Sequence, residues 1–239
     1  MIVDKERKVI YLHNPKSGGT FLRDIYIKKY GQTDATKWWK TYDPQYGTDL
    51  GHITCSDLYR FIPDWKDYRI VMMARNPYSR FYSAVKEVKQ NFIGSVKLGF
   101  IEIYCTRIDK DGMESRMRNT FFRSICPWTY AHTLVKLFTA SPEECCKQIL
   151  SFERPKQDLF IRSKKIPWLN PQSHFWGKDV EVLYYESESD WKKLLDIFDL
   201  SEYLVRLSIA KAYEVPDDMY GMIEKLYPED TDLFLKYKY

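Results

Sequence analysis

The sequence has few cysteines and little clustered charge. The five thiols are an odd number with no C-x-x-C pair, at Cys55, Cys105, Cys126, Cys145 and Cys146. A disulfide framework is therefore unsupported, and we expect reduced thiols. The net charge is only +4, and acidic residues are interspersed with the basic ones, which argues against a nucleic-acid partner. The basic residues that gather at Arg116, Arg118 and Arg123 are better interpreted as a solvated face than as a binding patch.

Long apolar runs are also missing. No stretch approaches the length that crosses a membrane, and residues 1–8 lack the apolar segment of a signal peptide. We therefore expect a cytoplasmic protein with no membrane partner. Its 239 residues, of which 44% are hydrophobic, suffice for one domain with a substantial core, so we predict a single domain over 1–239. The stretch from about 91 to 165 is predicted to be mainly helical.

Residues 9–22 carry the most informative pattern in the chain. The β-rich run at 9–12 leads into Lys16-Ser-Gly-Gly-Thr20, and an amphipathic helix pattern follows. A strand, a glycine-containing turn and a helix start can aim several N–H groups at one anion. Lys16 adds a mobile charge, and Ser17 and Thr20 add hydroxyls. The stretch favours a phosphate site over an ordinary turn.

This pattern differs from the common nucleoside triphosphate loop. That loop has a glycine at its start and its lysine after the last glycine, whereas Lys16 precedes Gly18 and Gly19. An ordinary strand-to-helix turn therefore remains an alternative interpretation of this stretch.

Two more runs have the pattern of strands in a parallel sheet. Residues 68–74 are nearly all apolar, as in a strand buried on both faces, and 180–185 form another candidate. Helices are predicted from about Thr20 to Tyr30, from Pro77 onward, and from about Glu188 to Phe198. Alternating strands and helices predict a three-layer α/β domain with a mostly parallel sheet.

A second polar group follows the strand at 68–74. Asn76 is a candidate N-cap and Pro77 a candidate first helical residue. Arg75 at the strand end and Ser83 two turns into the helix can share the crevice where open α/β sheets bind ligands. An arginine fork and a hydroxyl suit a phosphate, although helix capping and packing explain these two residues equally well.

Taken together, the two stretches resemble the sulfotransferase superfamily. His13-Asn-Pro-Lys-Ser-Gly-Gly-Thr20 is similar to its 5′-phosphosulfate loop, and Arg75-x-Pro-x-x-Arg-x-x-Ser83 is similar to its 3′-phosphate motif. Gly51-His52 resembles the Gly-His of the branch that includes heparan 2-O-sulfotransferases. Phe21 departs from the pattern, because many members carry a second hydroxyl residue there. The clear similarity covers about 9–90 and 170–239, with a family-variable insertion at about 91–165.

The resemblance implies a fold, a donor and residue roles. It implies a P-loop NTPase-like α/β/α domain that takes 3′-phosphoadenosine-5′-phosphosulfate (PAPS) as donor and needs no metal. It places the 5′-phosphate on the loop residues Ser17, Gly18, Gly19, Thr20 and Phe21. It assigns Lys16 to the bridging oxygen and Arg75 with Ser83 to the 3′-phosphate. For Arg80, structural support of the helix is as reasonable as ligand contact.

The general base is assigned to His52, because neutral imidazole suits proton transfer near pH 7. A histidine packed on the sheet edge is the alternative. His13 is expected to shape the loop, whereas His174 is a second candidate base, and Gln172 and Ser173 are candidate ligand contacts.

The acceptor is less defined than the donor. Trp38, Trp39, Tyr42 and Tyr46 suit stacking on a sugar or small aromatic acceptor, and packing within the domain explains them equally well. We expect a small-molecule or oligosaccharide acceptor. A small-molecule P-loop kinase and a catalytically silent nucleotide-binding module remain the alternative functions; the kinase would need Mg²⁺ ligands that the sequence does not display.

Overall fold

The computed structural model describes residues 1–39, 41–43, 48–96, 140–162, 167–206 and 215–238. The predictions that concern Tyr46, Cys105, Arg116, Arg118, Arg123 and Cys126 lie outside these ranges, as does the middle of the expected helical insertion.

A four-stranded sheet forms the centre of the fold. Its strands are β1 (Ile2–Asp4), β2 (Val9–Leu12), β5 (Arg69–Ala74) and β6 (Val180–Tyr184), in the order β1-β2-β5-β6. Strand β1 pairs antiparallel with β2, whereas β2 with β5 and β5 with β6 are parallel pairs. A separate two-stranded ribbon consists of β3 (Tyr42–Asp43) and β4 (Thr48–Asp49).

Eight α-helices lie in the described residues. They are α1 (Gly19–Tyr30), α2 (Leu58–Phe61), α3 (Pro77–Val96), α4 (Pro142–Leu150), α5 (Arg154–Ile161), α6 (Glu188–Ile197), α7 (Asp217–Leu226) and α8 (Pro228–Lys238). Several 3₁₀ turns join them, among them Leu50–His52, Cys55–Asp57, Pro167–Leu169 and Gln172–His174.

Both faces of the sheet are buried, as the continuous apolar strands require. On one face, Val71 and Met73 pack with apolar side chains of α1 and α6. On the other face, Ile70 and Met72 pack with α2 and with Phe175. A third cluster joins α3, α4, α5 and α7 beside the sheet.

The sequence predicted the α/β class and the mostly parallel sheet correctly. Strand β5 begins one residue later than expected, at Arg69, and α1 begins one residue earlier, at Gly19. Asn76 caps α3, because its Oδ1 accepts from the N–H groups of Tyr78 and Ser79. The edge strand β1 was not predicted.

The sheet determines where a site can form. Because β2, β5 and β6 run parallel, their carboxyl ends meet at one edge, where His13, Arg75 and Tyr185 follow the three strands. Open α/β sheets bind ligands outside this edge.

Candidate functional site

The loop from 13 to 18 joins β2 to α1 at this edge. Lys16 and Gly18 both have positive φ, +67° and +84°, so two residues of the turn are left-handed. Gly18 is the N-cap of α1, and the first turn of that helix carries no acidic side chain. The first N–H groups of a helix lack intrahelical partners, and the helix dipole favours an anion there. The loop is therefore suited to an anion.

The two glycines are required by packing as well as by backbone shape. A Cβ on Gly18 would lie 2.5 Å from the ring of Trp191, and a Cβ on Gly19 would lie 2.1 Å from Cδ2 of His13. Both distances are far below van der Waals contact. The loop is thus held close to two buried rings, which fixes the direction of its backbone.

We expect Gly19→Ala to lower the free energy of unfolding by about 1–3 kcal/mol, because the added methyl overpacks against His13. Gly221, in the middle of α7, is open by contrast, and a Cβ added there would meet no atom within 4 Å. Gly221→Ala should raise stability by about 0.5–1 kcal/mol through helix propensity. Urea unfolding of both variants measures the difference, and equal effects of the two substitutions would contradict the packing argument.

One face of α3 connects Lys16 to Arg75. Arg75 Nε donates to Ser79 Oγ at 3.3 Å, and Lys16 Nζ donates to Glu87 Oε2 at 3.1 Å. Residues four apart on a helix share a face. Ser83 is four residues from both Ser79 and Glu87, so it lies between the points that Arg75 and Lys16 contact. Three of the predicted donor-site residues are therefore brought to one surface.

Arg75 is buried yet not fully paired. Its Nη1 donates to the backbone oxygen of Lys16 at 3.0 Å, and its guanidinium lies 4.6 Å from the ring centroid of Tyr185. Its Nη2 is buried with no hydrogen-bond partner among the described residues. Nearby Glu186 accepts from the N–H of Asn76, and burial raises the pKa of this carboxyl. An anion would satisfy the unpaired guanidinium nitrogen.

The remaining loop residues have different surroundings. Ser17 is fully buried, and its Oγ accepts from Asn14 Nδ2 at 3.0 Å. Thr20 is exposed at the helix start, whereas Phe21 packs edge-on against Trp191 with ring centroids 5.7 Å apart. The hydroxyl of Thr20 is thus accessible, and that of Ser17 serves the loop itself.

Arg80 has a structural position, which was one of the two roles considered for it. Its Nε donates to the backbone oxygen of Pro15 at 3.2 Å, and its Nη2 donates to that of Asn170 at 2.5 Å. Its Nη1 lies 3.9 Å from Asp230 Oδ2. This side chain therefore connects the loop from 13 to 18 to the segment that begins at Asn170.

Gln172 is a second internal brace. Its Oε1 accepts from the N–H of Arg75 and from Asn14 Nδ2, and its Nε2 donates to the oxygen of Arg75. Asp230 in turn accepts from the N–H groups of Gln172 and Ser173. Both polar atoms of the Gln172 side chain are thus bound inside the protein, and they orient β5 relative to α8.

Two histidines meet beside the loop from 13 to 18. The rings of His13 and His52 lie 4.5 Å apart between centroids, and Trp39 stacks on His13 at 5.3 Å. His52 Nδ1 lies 3.1 Å from the backbone oxygen of His13. A carbonyl only accepts, so Nδ1 carries the proton and Nε2 of a neutral His52 ring is basic. Trp38 packs against the core cluster that contains Ile53 and Leu58.

We expect stability to fall as the pH falls below about 6.5, the ordinary pKa of histidine. Burial, followed by the positive charges around it, holds the pKa of His13 well below its usual value. As the pH falls, the unfolded chain therefore binds a proton at this histidine before the folded chain does. The free energy of unfolding then decreases by up to about 1.4 kcal/mol per pH unit. His13→Phe keeps a ring in place and should flatten the dependence of unfolding free energy on pH between about 7.5 and 5.5; an unchanged pH dependence would contradict the assignment.

A cavity of about 440 Å³ lies beside His52. Residues of two segments line it: His52, Thr54, Ser56 and Asp57 from the first, and Arg162, Pro167, Asn170, Ser173, His174 and Trp176 from the second. Both candidate bases, His52 and His174, therefore face one space. Its volume falls within the range of small-molecule sites, about 300–1,000 Å³.

Several residues of the site were not predicted, among them Glu87, Asn170 and Trp176. Glu87 contacts Lys16, and Asn170 and Trp176 line the cavity. Glu87 follows Ser83 by four residues, and this helical spacing indicates that the two share a face of α3. Nothing in the sequence marked Asn170, because its position depends on packing between distant segments.

No family model matches the chain, and no curated protein or solved structure is significantly similar to it. Within the described ranges, no helix is long and apolar enough to cross a membrane. The same residues contain no group of three or more histidine, cysteine, aspartate or glutamate side chains that could hold a metal ion.

Proposed function

We propose that the protein is a PAPS-dependent sulfotransferase with a P-loop NTPase-like α/β/α fold. The observation that carries the proposal is the convergence of Lys16, Ser83 and Arg75 along one face of α3, next to the start of α1. This arrangement offers two separate places for anionic groups, as a donor with a 5′-phosphosulfate and a 3′-phosphate needs. The two motifs in the sequence support the same assignment.

The donor fits the side chains of this edge. The 5′-phosphate would lie on the N–H groups from Ser17 to Phe21, where the helix dipole favours negative charge. Arg75 would direct its unpaired Nη2 to the 3′-phosphate, and Ser83 would add a hydroxyl. Lys16 would leave Glu87 and neutralise the oxygen that bridges phosphorus and sulfur.

The reaction is an in-line displacement at sulfur. The acceptor oxygen or nitrogen forms a bond to sulfur while the bond from sulfur to the bridging oxygen breaks. His52 Nε2 takes the acceptor proton, and Lys16 stabilises the negative charge that develops on the bridging oxygen. The products are a sulfated acceptor and 3′,5′-adenosine bisphosphate. The acceptor, a small molecule or a carbohydrate, would occupy the cavity beside His52.

Calorimetry with 3′,5′-adenosine bisphosphate, 5′-ADP and ATP tests the donor site. We expect the bisphosphate to bind about 10–100-fold more tightly than 5′-ADP, because Arg75 makes a charge-assisted bond only with the 3′-phosphate. A chelator should leave this binding unchanged. Preference for ATP with Mg²⁺ would overturn the proposal in favour of a kinase. Tight bisphosphate binding with no transfer to any acceptor would favour a silent nucleotide-binding module.

A further inference from the structure

The wall of the cavity contains a buried polar atom that the protein does not satisfy. Asn170 is only 4% exposed, and its backbone oxygen is held by Arg80. Its side-chain Oδ1 is buried and has no hydrogen-bond partner within the described part of the chain. An unmet buried acceptor costs about 1–3 kcal/mol. Because Asn170 lines the cavity, a donor group on a ligand can meet this need.

The tautomer of His174 is fixed by its neighbour. Arg162 Nη1 lies 3.3 Å from His174 Nε2. An arginine only donates, so Nε2 accepts and Nδ1 carries the proton of the neutral ring. Burial, together with the charge of Arg162, lowers the pKa of His174 and keeps the ring neutral. His174 is therefore a hydrogen-bond donor through Nδ1.

Among the described residues that line the cavity, Arg162 and Asp57 each have a partner of opposite charge. Arg162 lies 3.4 Å from both Asp158 Oδ1 and Glu229 Oε1. Asp57, on the opposite wall, lies 3.4 Å from Arg60. A charged ligand would have to compete with these ion pairs, whereas a neutral one would not. Trp176, which is 39% exposed, lines the same space and adds an aromatic side chain to it.

We propose that Asn170 and His174 are specificity-determining residues that bind a neutral, ring-containing acceptor with at least two hydroxyl groups. One hydroxyl faces His52 Nε2, and a second donates to Asn170 Oδ1 while it accepts from His174 Nδ1. The ring packs on Trp176. The binding site itself does not depend on the proposed function. Only the identification of the bound compound as the acceptor of the sulfuryl group rests on it.

Weak-binding probes test this site directly. Saturation-transfer NMR should compare cyclohexanol with 1,2- and 1,4-cyclohexanediol, each with and without 3′,5′-adenosine bisphosphate. We expect at least one diol to bind about tenfold more tightly than cyclohexanol, the effect of one added hydrogen bond to a buried group. Asn170→Leu should abolish the preference, and Asn170→Asp, which keeps an acceptor, should retain it.

Two further results complete the test. His174→Phe keeps the ring but removes the donor, so it should also reduce the diol preference, and it serves if Asn170→Leu does not fold. Equal binding of the three probes, no binding of any probe, or a preference that survives in Asn170→Leu would overturn the inference. Absence of bisphosphate binding beside an intact diol preference would overturn the proposed function alone and support the site.

Discussion

Arg75→Ala is expected to weaken binding of 3′,5′-adenosine bisphosphate by about 100-fold while changing the affinity for 5′-ADP little. The lost contact is a charge-assisted bond to phosphate, worth about 1.5–3 kcal/mol. The Nη2 atom that would make it is already buried and oriented by Lys16 and Ser79, so little ordering is lost on binding. Calorimetric titration of the variant with both nucleotides measures the difference.

Arg69→Ala is the matched control. Arg69 begins the same strand, β5, at the end away from the ligand edge, and its ion pair with Glu181 is partly exposed. Arg69→Ala should leave the affinities for the bisphosphate and for 5′-ADP unchanged. Arg75→Lys keeps the charge without the fork and should fall between wild type and Arg75→Ala. Equal losses for the bisphosphate and 5′-ADP would contradict a 3′-phosphate role for Arg75.

The elements that the sequence predicted well are those with a local signal. Strand β5 is apolar on both faces, and Asn76-Pro77 is a helix start that depends only on neighbouring residues. Both were found as expected. The sequence did not indicate the ribbon of β3 and β4, because two-residue strands carry no periodic signal.

The candidate site divides in the same way. Lys16, Ser83 and Arg75 were named from two short motifs, and their convergence needs only a parallel sheet and the period of α3. The residues of the cavity wall could not be predicted in this way. Asn170 is placed by the Arg80 guanidinium, 90 residues away in the chain, and contacts of that range leave no pattern in a single sequence.

Arg80 and Asp230 explain how the two halves of the site are held together. Arg80 reaches the oxygens of Pro15 and Asn170, and Asp230 binds the N–H groups of Gln172 and Ser173. Burial lowers the pKa of Arg80 and raises that of Asp230, so burying each charge is costly. Their mutual contact at 3.9 Å offsets part of that cost. The pair therefore positions the donor loop and the cavity wall relative to each other.

Asp230→Ala is accordingly expected to lower the free energy of unfolding by about 3–5 kcal/mol, because it leaves the buried Arg80 charge without its partner and two backbone N–H groups unsatisfied. Urea unfolding measures the loss. Asp230→Asn keeps one acceptor oxygen and should show an intermediate loss. Asp232, exposed on the same helix, is the control, and Asp232→Ala should stay within about 0.5 kcal/mol of wild type. Similar stabilities for Asp230→Ala and Asp232→Ala would show that the buried pair does not join the two halves.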